Sequence, residues 1–132
     1  VCAVPSAENI TGPDAMTPGE IIKGYNGLTV EIHNTDAEGR LMLADAMAYV
    51  AEKYAPNMMV DVATLTGAVI VGLGHYAAAI MSHNSDIPKR MGAASCATGE
   101  LLWELPLWQD YVDLMKGTHA DLTNTGAGRD AG

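Results

Sequence analysis

The residues of this chain predict an α/β fold, part of a mixed, largely parallel sheet flanked by helices, and three observations carry that expectation. Apolar runs of strand length alternate with segments of helical spacing along the 132 residues, the pattern of an α/β domain. Met58-Met59-Val60-Asp61-Val62-Ala63 is almost uniformly apolar, as a parallel strand covered on both faces must be. The polar and Gly-containing loops follow such runs, and in α/β domains sites lie at the carboxyl ends of strands.

Taken in order, Val1-Cys2-Ala3-Val4-Pro5 reads as the last residues of a strand leaving the sheet, and Thr17-Pro18-Gly19-Glu20 as a turn. Ile21 to Tyr25 and Leu28 to His33 flank Asn26-Gly27, the signal of a hairpin with a type I′ turn. Leu43, Met47, Val50, Ala51 and Tyr54 recur at helical spacing, so residues 41–54 are expected to form an amphipathic helix that Pro56 ends. The Met58 to Ala63 strand comes next, leaving by the loop Thr64-Leu65-Thr66-Gly67. Asp61 lies inside that apolar strand, where a carboxylate needs a partner, and a structural partner is the expectation. His75 to Met81 is a second apolar strand. Residues 86–98 form a peripheral helix, with Ser85 or Asp86 as cap, Pro88 in the first turn and Gly99 beyond the end. The Gly-rich tail from Gly126 to Gly132 stops where a helix would begin. No linker or repeat divides residues 1–132, so they read as one domain with no second, an internal piece with both ends cut.

Composition narrows the function classes. A formal net charge of −9 and the absence of Lys/Arg clusters argue against nucleic acid and against anionic membrane surfaces as partners. The longest apolar stretch, Ala68 to Leu73, is too short to span a bilayer, and the first ten residues lack a signal-peptide pattern, so the cytoplasm is the default location. Cys2 and Cys96 have no CxxC spacing and are expected to be buried thiols of a reducing compartment. His33, His75, His83 and His119 have no metal-ligand spacing and are read as non-ligands. The eight Met and the pair Trp103/Trp108 are expected to pack in the core or at subunit contacts.

The run Asn34-Thr35-Asp36-Ala37-Glu38-Gly39-Arg40-Leu41 concentrates the chemistry. Residues two apart cannot share a helix face, so Asp36 and Glu38 precede the helix rather than ride on it. Carboxylates so close repel unless a divalent cation or an Arg offsets them, and Arg40 offsets only part. Hard oxygen donors suit Mg, Mn or Zn, and a Glu carboxylate can bridge two ions. A solvated acidic turn with Asp36 capping the helix satisfies the same spacing, so spacing leaves both readings open. The positive amino end of the helix points at this loop and favours carboxylates or a bound anion.

The string NTDAEGRL, followed by a helix and then by Asp61-Val62-Ala63-Thr64-Leu65-Thr66-Gly67-Ala68, resembles the leucyl aminopeptidase family of dinuclear metallopeptidases. Pro5-Ser6-Ala7-Glu8-Asn9, Trp103-Glu104-Leu105-Pro106-Leu107-Trp108 and Ala120-Asp121-Leu122 extend the resemblance over the whole chain, identified as a partial, C-terminal catalytic domain. The resemblance implies that Asp36 and Glu38 are metal ligands, with Glu38 bridging two divalent ions (Zn or Mn), and that Arg40 holds a bicarbonate acting as general base. It implies main-chain substrate contacts at Thr64, Leu65 and Gly67; Gly67 reads equally well as a helix-entry or turn glycine. It further implies a peptide substrate and a homo-oligomer, a hexamer in the family. The family's remaining ligands, a Lys and two Asp, and its electrophilic Lys lie in an upstream K-G-x-T-F-D-T-G-G segment and a following D-M segment. Neither occurs in these residues; there is no Phe, and Lys23, Lys53, Lys89 and Lys116 stand in other contexts.

Three functions follow from different classes. The chain is part of a metal-dependent aminopeptidase that removes leucine and similar N-terminal residues. Alternatively, the isolated chain is a non-catalytic folding or assembly module lacking the upstream ligands. A Ca/Mg-binding domain unrelated to peptidases is disfavoured, since no EF-hand-like D-x-[DN]-x-[DN]-G pattern occurs.

Overall fold

A computed structural model describes residues 1–126. The tail expected to open a helix falls, from residue 127 on, outside the described residues. The architecture is mixed α/β, and two of its three strand pairings are parallel. The chain folds as two compact units, one of residues 1–65 together with the segment from Leu114 on, the other of residues 66–113.

The first unit is built on a three-stranded sheet in the order β1-β2-β5, from β1 (Ile21–Lys23), β2 (Thr29–Glu31) and β5 (Leu122–Thr123). The hairpin signal at Asn26-Gly27 lands in a hairpin, antiparallel with Ile22 opposite Val30. Its turn is not type I′. Gly27 has φ +88, but Asn26 is not among the positive-φ residues, and type I′ needs both. The Gly27 amide instead donates to Gly24 O (2.9 Å) and the Gly24 amide to Leu28 O (2.8 Å), the three-residue loop in which a left-handed Gly makes a bulge. The Asn26 carboxamide explains the choice: it accepts from the Leu28 amide at 3.0 Å, which the side chain reaches from a right-handed backbone. Ladder bonds beyond the strands, Ile32 N to Glu20 O (2.8 Å) and Gly19 N to Ile32 O (2.7 Å), bring the expected 17–20 turn against β2.

After β2 a 3-10 turn (Thr35–Ala37) leads into α1 (Gly39–Tyr54). The helix stops where Pro56 requires, because the residue before a proline is excluded from the α region. Ala55 therefore turns left-handed (φ 41, ψ 55), its amide returning to Ala51 O at 3.1 Å. The expected apolar stripe is only partly covered: Leu43 and Val50 are half-buried, whereas Met47, Ala51 and Tyr54 are exposed. Tyr25, at the hairpin tip, meets α1 twice. Its amide donates to Asp45 Oδ1 (2.8 Å), and its ring stands edge-on to Tyr49 with centroids 5.7 Å apart.

Met58 to Ala63 does not form the buried strand its composition predicts. No strand is present there, Val62 is 95% exposed, and Asp61 is exposed and so needs none of the partners a buried carboxylate requires. Apolar residues set the propensity, but a strand exists only when a neighbour completes its ladder and layers cover its faces; no described strand pairs with this run.

The second unit pairs β3 (Ala78–Ile80) with β4 (Leu102–Glu104) in parallel, joined by α3 (Asp86–Thr98), with α2 (Ala68–Leu73) before and α4 (Gln109–Asp113) after. The strand expected over His75 to Met81 is shortened to its last residues, because the preceding turns close α2. Helix α3 has the predicted bounds. Asn84 rather than Ser85 or Asp86 satisfies its first turn, Oδ1 accepting from Asp86 N at 2.9 Å, and Gly99 (φ +79) ends it. Ser95 is buried and its Oγ accepts from Leu102 N at 3.1 Å, tying α3 to β4.

Cys2 and Cys96 are exposed, not buried: Cys2 lies in an N-terminal segment that forms no strand, and Cys96 on an uncovered face of α3. Trp103 and Trp108 are likewise exposed rather than packed in a core, Trp108 stacking on Tyr111 at 5.7 Å. No described helix is long and apolar enough to cross a membrane.

Candidate active site

Asp36 and Glu38 stand, as their spacing requires, ahead of the helix, Asp36 within the 3-10 turn and Glu38 at the N-cap of α1. Neither residue caps with its side chain. That task belongs to Asn34, in extended conformation (φ −134, ψ 116), whose Oδ1 accepts from Asp36 N at 2.9 Å. The spacing was the clue available in the sequence, since an Asn two residues before a turn amide forms an Asx turn. With the cap supplied, the carboxylates of Asp36 and Glu38 are left without hydrogen bonds or ion pairs among the described residues, as is the Arg40 guanidinium on the first turn of α1.

The loop is held from beneath. Ile32 is fully buried, and beside it Asn124 on the far side of β5 is 1% exposed. Asn124 Oδ1 accepts from the amides of His33 (2.9 Å) and Asn34 (3.2 Å), its Nδ2 donates to Asn34 O (2.6 Å), and its own amide donates to Glu31 O (3.0 Å). Glu31 is also buried, and its Oε2 accepts from the amides of Thr118 (3.1 Å) and His119 (3.2 Å) while Oε1 meets His33 Nε2 at 3.2 Å. The His119 amide first, then the His33 side chain, hold the Glu31 carboxyl below its ordinary range, because each stabilises the ionised form. No local pattern announces Glu31 or Asn124, whose partners lie about ninety residues away in sequence.

The loop expected to contact substrate is exposed at Thr64 and Leu65. Gly67 is the N-cap of α2 with φ −69, and its carbonyl accepts from Ile70 N at 3.1 Å. That conformation is open to any residue, and a Cβ there would meet nothing within 4 Å.

Two free carboxylates fit a share of a hard-cation site in charge and donor type. Among the described residues no three His, Cys, Asp or Glu side chains converge on one point.

Compared with known proteins, residues 1–132 match the model of the cytosol aminopeptidase family, catalytic domain. The chain belongs to that family. Among cytosol aminopeptidase relatives, it is 47% identical to a probable cytosol aminopeptidase of Chlorobium phaeobacteroides over 129 residues, 98% of this chain and 25% of that protein. A probable cytosol aminopeptidase of Cenarchaeum symbiosum is 50% identical over 129 residues, 26% of its length. The structure of a mutant tomato leucine aminopeptidase superposes with a TM-score of 0.87 at 42% identity, covering 92% of this chain and 24% of that one. The chain thus spans about a quarter of the length of the cytosol aminopeptidases it matches.

Proposed function

We propose that this chain supplies the acidic loop of a metal-dependent aminopeptidase that releases leucine and similar residues from peptide N-termini. The observation that supports it is the pair of unpartnered carboxylates, Asp36 and Glu38, that Asn34 leaves free at the amino end of α1 in a chain matching this family over its full length. Asp36 and Glu38 would hold two divalent ions, Zn or Mn, with Glu38 bridging them. When bound, such ions draw a nucleophile from water near neutral pH and polarise the scissile carbonyl. Arg40, on the first turn of a 16-residue helix, would hold a bicarbonate base, the positive helix end and the guanidinium acting on the same anion. Thr64, Leu65 and Gly67 would meet the peptide through main-chain atoms. On this reading residues 1–132 are a partial catalytic domain of a cytoplasmic homo-oligomer, a hexamer by family likeness.

A second reading concerns the 132 residues alone. The described residues bring no third ligand to Asp36 and Glu38, which favours a module that folds or assembles without turning over substrate unless further polypeptide completes the site.

The test uses the full-length polypeptide that carries this segment. Glu38→Ala should lower metal content and hydrolysis of leucine amide together, whereas Arg40→Ala should keep the metals and slow turnover, since an anchored base moves protons without coordinating. Equal loss of metal in both variants would overturn this division of roles.

A further inference from the structure

The geometry points to Asn124 as a positioning residue for the acidic loop, a side chain immediately past β5 that fixes where Asp36, Glu38 and Arg40 stand; the inference rests on the metal reading above. Asn34 is the pivot. Its amide and its carbonyl are both taken by one carboxamide, that of Asn124, at 3.2 and 2.6 Å, so its peptide planes are set from the sheet rather than by the loop. With its backbone held, the Asn34 side chain is aimed at the Asp36 amide (2.9 Å) and its carbonyl at the Ala37 amide (3.2 Å). Position therefore passes from Asn124 to Asn34 to the turn that carries Asp36, and Glu38 and Arg40 follow directly at the start of α1.

The orientation of the Asn124 amide is dictated by its partners. Two backbone donors converge on Oδ1 and one carbonyl on Nδ2; a flipped amide would set N–H against N–H and lose all three. Asn124 is 1% exposed, and cutting its side chain back removes all three bonds to the His33 and Asn34 backbone at once. The carboxamide acts as a peptide group would: where β2 leaves the sheet and β5 has no further residue in register, the side chain continues the pairing through His33 and Asn34. Groups that orient metal ligands in this way change metal affinity about ten- to a hundredfold when removed.

The test compares Asn124→Ala and Asn124→Asp with Thr29→Val and Glu38→Ala in the full-length polypeptide. Thr29→Val removes a hydroxyl that bonds Asp121 on the same β2–β5 seam, away from the loop, and serves as the purely structural control. Mn affinity by calorimetric titration and amide exchange of residues 34–38 in metal-free protein are the readouts, with kcat and KM for leucine amide alongside. Asn124→Ala should weaken Mn binding about ten- to a hundredfold and deprotect the Asp36 amide. Asn124→Asp keeps the shape and both accepted bonds but sets an oxygen in place of the Nδ2 donor against Asn34 O, so it should weaken Mn binding as well, and it serves if the Ala variant does not fold. Thr29→Val should lower Tm while leaving Mn affinity and Asp36 protection unchanged. Mn affinity unaltered in the Asn124 variants, or reduced equally in Thr29→Val, would overturn the positioning role. If Glu38→Ala itself left Mn binding intact, the metal reading would fail and the inference with it; loss of Mn in Glu38→Ala but not in the Asn124 variants would reject the inference alone.

Discussion

Asp121 and Thr29, 92 residues apart, clasp each other three times: the Thr29 amide and hydroxyl both donate to Asp121 Oδ2 at 2.8 and 2.7 Å, and the Asp121 amide donates to Thr29 Oγ1 at 3.0 Å. This clasp closes one end of the parallel β2–β5 pair, and the buried Glu31, bonded to Thr118 and His119, closes the other. Both anchors are carboxylates whose bonds favour the charged form, the Thr29 amide first for Asp121 and the His119 amide first for Glu31, so both titrate below their ordinary values of 3.8 and 4.5.

Acid should therefore unfold this unit through these two groups. A carboxyl with a lowered folded value contributes stability that is fully present above its ordinary value and is lost as pH falls through the folded one. Stability is expected to hold down to about pH 5 and to decline below it, and Asp121→Asn with Glu31→Gln should flatten that decline. Urea unfolding midpoints measured from pH 7 to pH 2.5 check this; an equally steep acid limb in the double variant would disprove it.

Gly117 should tolerate no side chain. A Cβ there would run into the carbonyl of Ala120 and the Leu122 oxygen, in the turn that presents the Thr118 and His119 amides to Glu31. Gly117→Ala is expected to cost about 1–3 kcal/mol, the range of overpacking, and to remove the Glu31 share of the acid limb. Chemical denaturation at pH 7 and pH 4 measures both effects.

Ala55→Gly should stabilise the chain. Ala55 is the only non-glycine residue with positive φ among the described residues, held there by Pro56, and a left-handed alanine costs about 1–2 kcal/mol. Glycine returns about half of that gain through its looser unfolded state, leaving roughly 0.5–1 kcal/mol. A urea midpoint that fell instead of rising would show that the Ala55 methyl makes a contact worth more than its strain.

In the second unit, Ser95→Ala should cost about 1–3 kcal/mol, since it leaves the Leu102 amide without the Oγ that receives it beside a buried helix face. Ser95→Thr, keeping a hydroxyl, should recover part of the loss. Exchange of the Leu102 amide, measured by NMR, reports on the bond directly.

The 132-residue chain alone should not bind two ions tightly, because two carboxylates do not complete a coordination sphere. Two sub-micromolar sites in a calorimetric titration with Zn or Mn would refute this, as would leucine amide hydrolysis that Glu38→Ala abolishes.

Local chemistry was legible without coordinates. Helix α3 follows from Pro88 in its first turn and Gly99 beyond its end, α1 from its spacing and Pro56, and the hairpin from Asn26-Gly27, because each depends on backbone preferences of a few adjacent residues. The acidic loop was legible for the same reason, in the two-residue offset of Asp36 and Glu38 ahead of a helix. What needed the tertiary structure was everything that depends on a distant partner. Met58 to Ala63 has the composition of a buried strand but no ladder neighbour among the described residues, so it is not one. Cys2, Cys96 and the two Trp are apolar enough for a core, yet burial is decided by what lies opposite. Asn124 has no local signature at all. Its importance comes from folding Glu31, His33 and Asn34 against it across some ninety residues, and a buried amide is satisfied only by the particular groups the fold brings within 3 Å or so of it.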